Sequence, residues 1–212
     1  MYIVSVNAGR RRRLDGRSFQ GHTGIFKESV AGAVRIGELG LDVDEIVDTH
    51  HHGGADQAVY LYRQEDYDWW SAQLDRPLVP GMFGENLTLA GLPSPGLAIG
   101  ARLEFSTVVL EVSAPRIPCN TLAARMEDTG FVKQFMTAER PGAYCRVVVP
   151  GRVEPGEAFT LHEPAEPGMT TIDLFRGVQR KLSDAELRQF LSLPIDARTR
   201  DKFEDKLRQL EA

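Results

Sequence analysis

Ala114-Pro115-Arg116-Ile117-Pro118-Cys119-Asn120-Thr121 is the stretch on which the reading turns. An apolar, β-branched run at 107–112 precedes it and reads as a strand. Leu122-Ala123-Ala124-Arg125-Met126 follows and reads as the first turns of a helix. Pro115 and Pro118 bias the chain between them toward extended or turn geometry. The segment is therefore a strand-to-helix junction, with Cys119 near a helix N-terminus. Unpaired backbone N–H groups at such an end favour negative charge, which biases a thiol toward thiolate. Arg116 and Arg125 push the same way if they point inward. The plain alternative makes Cys119 a small buried hydrophobe, the commoner fate of a cysteine. The proline bracket and the two arginines suit a shaped site better than a core.

Outward from this junction the chain reads as short strands between turn signals. Strands are expected at 2–6, 45–49, 58–62, 86–89, 102–105, 107–113, 143–149 and 158–162, and a glycine-broken piece at 23–27 places Lys27 at a strand end. Helices are expected at 65–74, where Tyr67, Trp70 and Leu74 share a face, and at 130–138, with Phe131 and Phe135 four apart. Many short strands with few helices between them predict a mainly β barrel or sandwich. Composition shifts at Glu163-Pro164-Ala165-Glu166-Pro167-Gly168, which reads as a linker. Beyond it the pattern is helical. Ser183-Asp184-Ala185-Glu186 is a capping box flanked by Leu182 and Leu187 as a hydrophobic staple. A final helix over 196–212 carries Phe203, Leu207 and Leu210 on one face. The expected organisation is a mainly β domain over 1–163 and a small domain of about three helices over 164–212.

With 212 residues, 42% of them hydrophobic, the chain can bury one substantial core and a small extra module. A net charge of −5 gives no nucleic-acid footprint. The one basic run, Arg10-Arg11-Arg12-Arg13, reads as a solvated loop, with a local anion site as the sharper alternative. The opening run has no signal-peptide architecture, and no apolar segment approaches the length of a membrane span. The expectation is a soluble cytoplasmic protein whose two cysteines stay thiols. Two cysteines also cannot supply the four thiolates of a usual iron–sulfur cluster.

Among other constellations, His50 and His52 would share a face in a strand. A zinc site wants three or four ligands, and His22 and His162 show no ligand spacing, so none is expected. Gly53 and Gly54 could present amides to an anion. Gly81-Met82-Phe83-Gly84-Glu85-Asn86-Leu87 reads, on its own, as an ordinary polar loop.

Taken in order, HHGGADQAV at 51–59, YRQEDYDWW at 62–70, GMFGENLT at 81–88, LEVSAPRIPCNTLA at 110–123, GFVKQF at 130–135 and RPGAYCRVV at 140–148 resemble the MOSC domain family of the bacterial YiiM-like type. The resemblance covers about 1–163, and the helical tail is similar to the three-helix domain that follows MOSC in that subgroup. It implies a β-barrel related to the pyruvate kinase barrel domain. It implies that Cys119 is the thiolate ligand of molybdenum in a pterin-based cofactor of the molybdopterin form. It implies reduction of N-hydroxylated compounds, hydroxylaminopurine-like bases among them, to amines. With no flavin fingerprint in the chain, electrons would come from a separate reductase. The same family suggests an alternative, a sulfur carrier holding a persulfide on Cys119.

On that resemblance Lys27, Arg116, Arg125 and the Gly53-Gly54 loop are candidates for the pterin phosphate. His52, Asp56, Glu85, Asn86 and Asn120 are candidates for the pterin's polar edge or for handling protons, and Tyr144 for lining the pocket. Cys145 alternates with Tyr144 and faces the other way, as a structural residue. Members of this type often read HGGPDK or HGGPDR. Ala55 and Gln57 stand at those positions here, so the loop lacks one cation. Pyridoxal phosphate enters only by domain analogy, since no lysine context argues for it. The tail's amphipathic faces suit a homodimer contact or docking of the reductase, and no nucleic acid or membrane partner is expected.

Overall fold

Alternating apolar residues set the strands, and two capping boxes set the helices that follow them. A computed structural model of the protein describes residues 1–93, 95–166 and 168–211. Its strands are β1 (Tyr2–Gly9), β2 (Arg12–Asp15), β3 (Gln20–Thr23), β4 (Lys27–Ser29), β5 (Val34–Gly37), β6 (Gly40–Leu41), β7 (Val59–Arg63), β8 (Leu87–Ala90), β9 (Arg102–Glu104), β10 (Val109–Ala114), β11 (Ala143–Val149), β12 (Gly151–Val153) and β13 (Thr160–His162). Its helices are α1 (Gln64–Gln73), α2 (Asn120–Arg125), α3 (Phe131–Ala138), α4 (Thr171–Gly177), α5 (Asp184–Leu191) and α6 (Ala197–Glu211), with a 3₁₀ turn at Ala55–Gln57.

Eight strands form one sheet in the order β13-β9-β10-β11-β7-β8-β1-β4. Every neighbouring pair is antiparallel except β7 and β8, where Leu61 sits opposite Leu87 in a parallel register. A parallel pair needs a crossover, and α1 lies in this one. The sheet rolls back on itself. Ile3 donates its amide to the Glu157 carbonyl (2.9 Å), Phe159 donates to Met1 (3.2 Å), and Tyr2 bridges Ala158. The first strand thus meets the segment entering the last one, although β1 and β13 share no continuous ladder. The class is mainly β, as expected.

Two apolar clusters fill the fold. One holds Ile3, Val6, Leu61, Leu87, Leu103, Leu110, Val112 and Cys145 inside the rolled sheet, and it runs on without a break to Leu174, Leu182, Leu187, Phe190 and Phe203 of the helical segment. The other is aromatic, with Tyr60, Tyr62, Tyr67, Trp70, Phe83, Phe131 and Phe135 between the sheet and α1–α3. Strand β7 has apolar layers on both faces, with Val59 and Leu61 in one cluster and Tyr60 and Tyr62 in the other, which is why its residues read as a continuous run. The capping box at Ser183 and Glu186 forms, with Leu182 and Leu187 buried beside it. A second box, at Thr170 and Asp173, starts α4.

Three expectations are corrected. Residues 45–49 form no strand. Glu45 binds backbone instead, accepting from the Arg11 amide (3.0 Å), as Asp44 just before the segment accepts from the Gly9 amide (2.7 Å). Such side-chain bonds compete with a ladder. In the basic run, Arg12 and Arg13 belong to β2, paired with β3 in a hairpin, and only Arg10 and Arg11 lie outside it. On the last helix Phe203 is buried but Leu210 is 48% exposed, so the apolar face ends before it. Pro167 of the expected linker, Ser94 and the terminal Ala212 lie outside the described residues. Among the described residues no helix is long and apolar enough to cross a membrane.

Candidate functional site

The junction that opened the reading forms as expected. Strand β10 ends at Ala114, the proline bracket runs extended, and Cys119 is the N-cap of α2 in extended geometry. Its carbonyl accepts the Leu122 amide at 3.0 Å. The half-buried thiol opens into a cleft of about 750 Å³, part of it in contact with solvent. Lys27, His52, Gly53, Asn86, Arg116 and Tyr144 line the cleft with Cys119.

Burial alone raises the Cys119 pKa. A hydrogen bond with His52, the charge of Arg116 and the Leu122 amide outweigh it and bring the thiol from 9.0 down to about 6. Arg116 is buried, donates to the Phe83 carbonyl, and lies over the Tyr60 ring with its guanidinium carbon 5.2 Å from the centroid. Tyr60 is itself anchored by its hydroxyl on the Pro141 carbonyl (2.9 Å) and packs against Tyr144 at 4.9 Å between ring centroids. Cys145, one position along β11, is fully buried, and burial pushes its thiol well up. It belongs to the core.

Lys27, the first residue of β4, points inward onto Asp44, with which it forms a buried ion pair. Burial pulls the Lys27 ammonium below its ordinary value despite the favourable charge of Asp44. Asp44 also accepts from the Asn86 side chain at 2.9 Å. One carboxylate thus fixes the lysine, the asparagine and the Gly9 amide. The sequence reading did not single out Asp44, because it lies in a segment taken as the approach to a strand. Phe19, Ile25, Ile46 and Val47 supply an apolar wall that it also missed. The β2–β3 hairpin, absent from that reading, carries Phe19 there.

Other predicted residues lie off the cleft lining. Glu85 is wholly buried behind it and accepts from the Gly81 amide (2.6 Å), the Tyr67 hydroxyl (2.8 Å) and Thr88 (2.7 Å). Its pKa is raised by burial, against those hydrogen bonds. Asp56 accepts from Arg146 (2.9 Å) and from the Ala197 amide (2.9 Å). Arg125 lies over the Phe26 ring at 4.8 Å, and Asn120 and Gly54 are exposed. The analogy to pyridoxal phosphate finds no support. That cofactor needs a free amine, and the lysine lining the cleft is tied to Asp44.

The rolled, mainly β sheet thus sets Cys119 in a cleft beside Arg116 and the Lys27–Asp44 pair. Residues 48–160 match the MOSC domain model. The chain belongs to the MOSC domain family, which is associated with binding and sulfuration of the molybdenum cofactor. It is 36% identical over 170 residues to the uncharacterized protein YflK of Bacillus subtilis, covering 79% of this chain and 76% of that one. It is 28% identical over 215 residues to a reductase of Gibberella moniliformis, covering 97% of this chain but 37% of that longer protein. The crystal structure of YiiM from Geobacillus stearothermophilus superimposes with a TM-score of 0.80 at 28% identity, covering 97% of this chain and 98% of that one.

Proposed function

We propose that the protein is a molybdenum-cofactor oxidoreductase that reduces N-hydroxylated compounds, such as hydroxylaminopurine-like bases, to amines. The observation that carries this reading is the Cys119 thiol at the N-cap of α2, opening into a cleft lined by Lys27, His52 and Arg116. The residues fit such a group. A thiolate is a soft ligand suited to it, and Arg116, Lys27 and the Gly53 amide offer donors to its anionic end. When bound, the group supplies two-electron chemistry and accepts oxygen; the protein supplies binding and electrostatics.

The chain's own residues have definable tasks. Cys119 is the metal ligand, and His52 orients its sulfur. The tilted Tyr60–Tyr144 pair and the Phe19–Ile46 wall accommodate a planar ring. The balance of the reaction is R–NHOH plus two electrons and two protons, giving R–NH2 and water. The electrons come from a separate reductase. That the relative named a reductase extends well beyond the matched region supports a donor lying outside this fold.

Elemental analysis tests the reading. Protein from cells able to make molybdopterin should carry near-stoichiometric molybdenum and reduce hydroxylaminopurine when given a reductant, and Cys119→Ala should lose both. Molybdenum retained in Cys119→Ala would sink the assignment. No molybdenum in either protein, with a labile gain of about one sulfur atom on Cys119 by intact mass, would favour the persulfide carrier instead.

A further inference from the structure

The helical segment reaches the loop beside the cleft through one side chain. Arg198, the second residue of α6, lays its guanidinium across the loop that carries His52. Its Nη1 donates to the Gly53 carbonyl (2.9 Å) and to Gln57 Oε1 (3.2 Å). Its Nη2 donates to the carbonyls of Thr49 (3.3 Å) and His52 (3.5 Å). The neighbouring contacts hold the helix end in place. Asp56 accepts the Ala197 amide at 2.9 Å, and Gln57 donates to Asp196 at 3.3 Å.

This clamp fixes the direction of two amides. In a trans peptide the C=O and the N–H that follows it point opposite ways, and no cis bond occurs among the described residues. Drawing the His52 and Gly53 carbonyls toward Arg198 therefore turns the Gly53 and Gly54 amides away from it. Among the described residues neither amide donates to a protein acceptor. Gly53 lines the cleft and has φ 69°, and Gly54 has φ 87°, positive values that glycine adopts without a side-chain penalty. A planar fork that satisfies several carbonyls at once is a property of arginine and not of lysine.

We propose that Arg198 is a positioning residue that aims the Gly53 amide, and that of the exposed Gly54 next to it, at an anionic group, phosphate in class, bound in the cleft. The inference takes the cleft of the proposed function as the ligand site but does not require molybdenum chemistry.

The test is a titration of the full chain with inorganic phosphate, read on ¹⁵N-labelled glycine amides. In the wild type the Gly53 and Gly54 signals should shift saturably. Arg198→Ala should weaken that binding about tenfold, the scale of one charge-assisted contact network. Arg198→Lys keeps the charge but loses the fork, and should bind clearly more weakly than wild type. Arg200→Ala removes bonds to the Leu191 and Leu193 carbonyls within the helical segment and should bind as wild type does. Unmoved Gly53 and Gly54 signals in the wild type would overturn the proposal. So would Arg198→Lys binding as tightly as wild type, which would leave charge alone as the cause. If Arg198→Ala loosens the whole fold, Arg198→Lys carries the test. Phosphate binding that depends on Arg198 in a protein that takes up no molybdenum would leave this inference standing and remove the proposed function.

Discussion

At Cys119, burial and its polar neighbours pull in opposite directions, and the neighbours win. In metal-free protein the alkylation rate of Cys119 should therefore rise with a midpoint near pH 6, while Cys145 stays silent. His52 favours the charged form, so His52→Ala should move the midpoint upward by about one unit or more, equivalent to roughly 1.4 kcal/mol. A midpoint that stays put in His52→Ala would show that Arg116 and the helix end suffice. Glu85 makes a second test at this scale. It accepts the Gly81 amide and the Tyr67 and Thr88 hydroxyls at a fully buried site. Glu85→Gln puts a donor among donors and should cost about 1–3 kcal/mol by urea denaturation. Cys119 was legible in the sequence because its signal is local: two prolines, a helix start and a nearby arginine. The part played by Glu85 was not, because the tyrosine and threonine that bind it come from α1 and β8.

The loop from Asp44 to Gln57 is the element that shapes the cleft. Residues 45–49 failed as a strand because Glu45 and Asp48 spend their carboxylates on backbone amides, and Asp44 just before them on the Gly9 amide and Lys27, contacts that alternation cannot show. The glycine pair was legible; what holds it was not, since Arg198 lies 145 residues from Gly53. The need for glycine at 53 is twofold. Its φ is 69°, and a Cβ there would sit 2.7 Å from Ile46 Cδ1 and 3.3 Å from Cγ2. Gly53→Ala should cost about 1–2 kcal/mol from the backbone, plus the clash. Ile46→Val removes Cδ1 and should recover part of the loss in melting temperature, but not the backbone part. Full recovery would place the whole cost in the clash and contradict the backbone argument.

Across the whole molecule, the helical segment is joined to the sheet by a shared core as well as by Arg198. Leu174, Leu187, Phe190 and Phe203 lie in the same apolar cluster as Leu103 and Val112. Composition marked a break near 163–168, and sequence pattern gave the helices beyond it. Neither could show that their apolar faces join the core of the rolled sheet, because periodicity identifies a buried face without naming its partner. Helices that complete a core should not unfold apart from it. Phe203 is buried against Phe190, with ring centroids 5.5 Å apart, so Phe203→Ala should cost about 3–5 kcal/mol. Trp70 and Trp69 report on the aromatic cluster, to which the helical segment contributes Phe175, and far-ultraviolet circular dichroism weights the helices. In wild type and in Phe203→Ala the two signals should unfold in one coincident transition, shifted to lower temperature in the variant. If the tryptophan transition held its wild-type midpoint while the helical signal melted early, the segment beyond the linker would be an independent unit, and its grip on the cleft would have to rest on Arg198 alone.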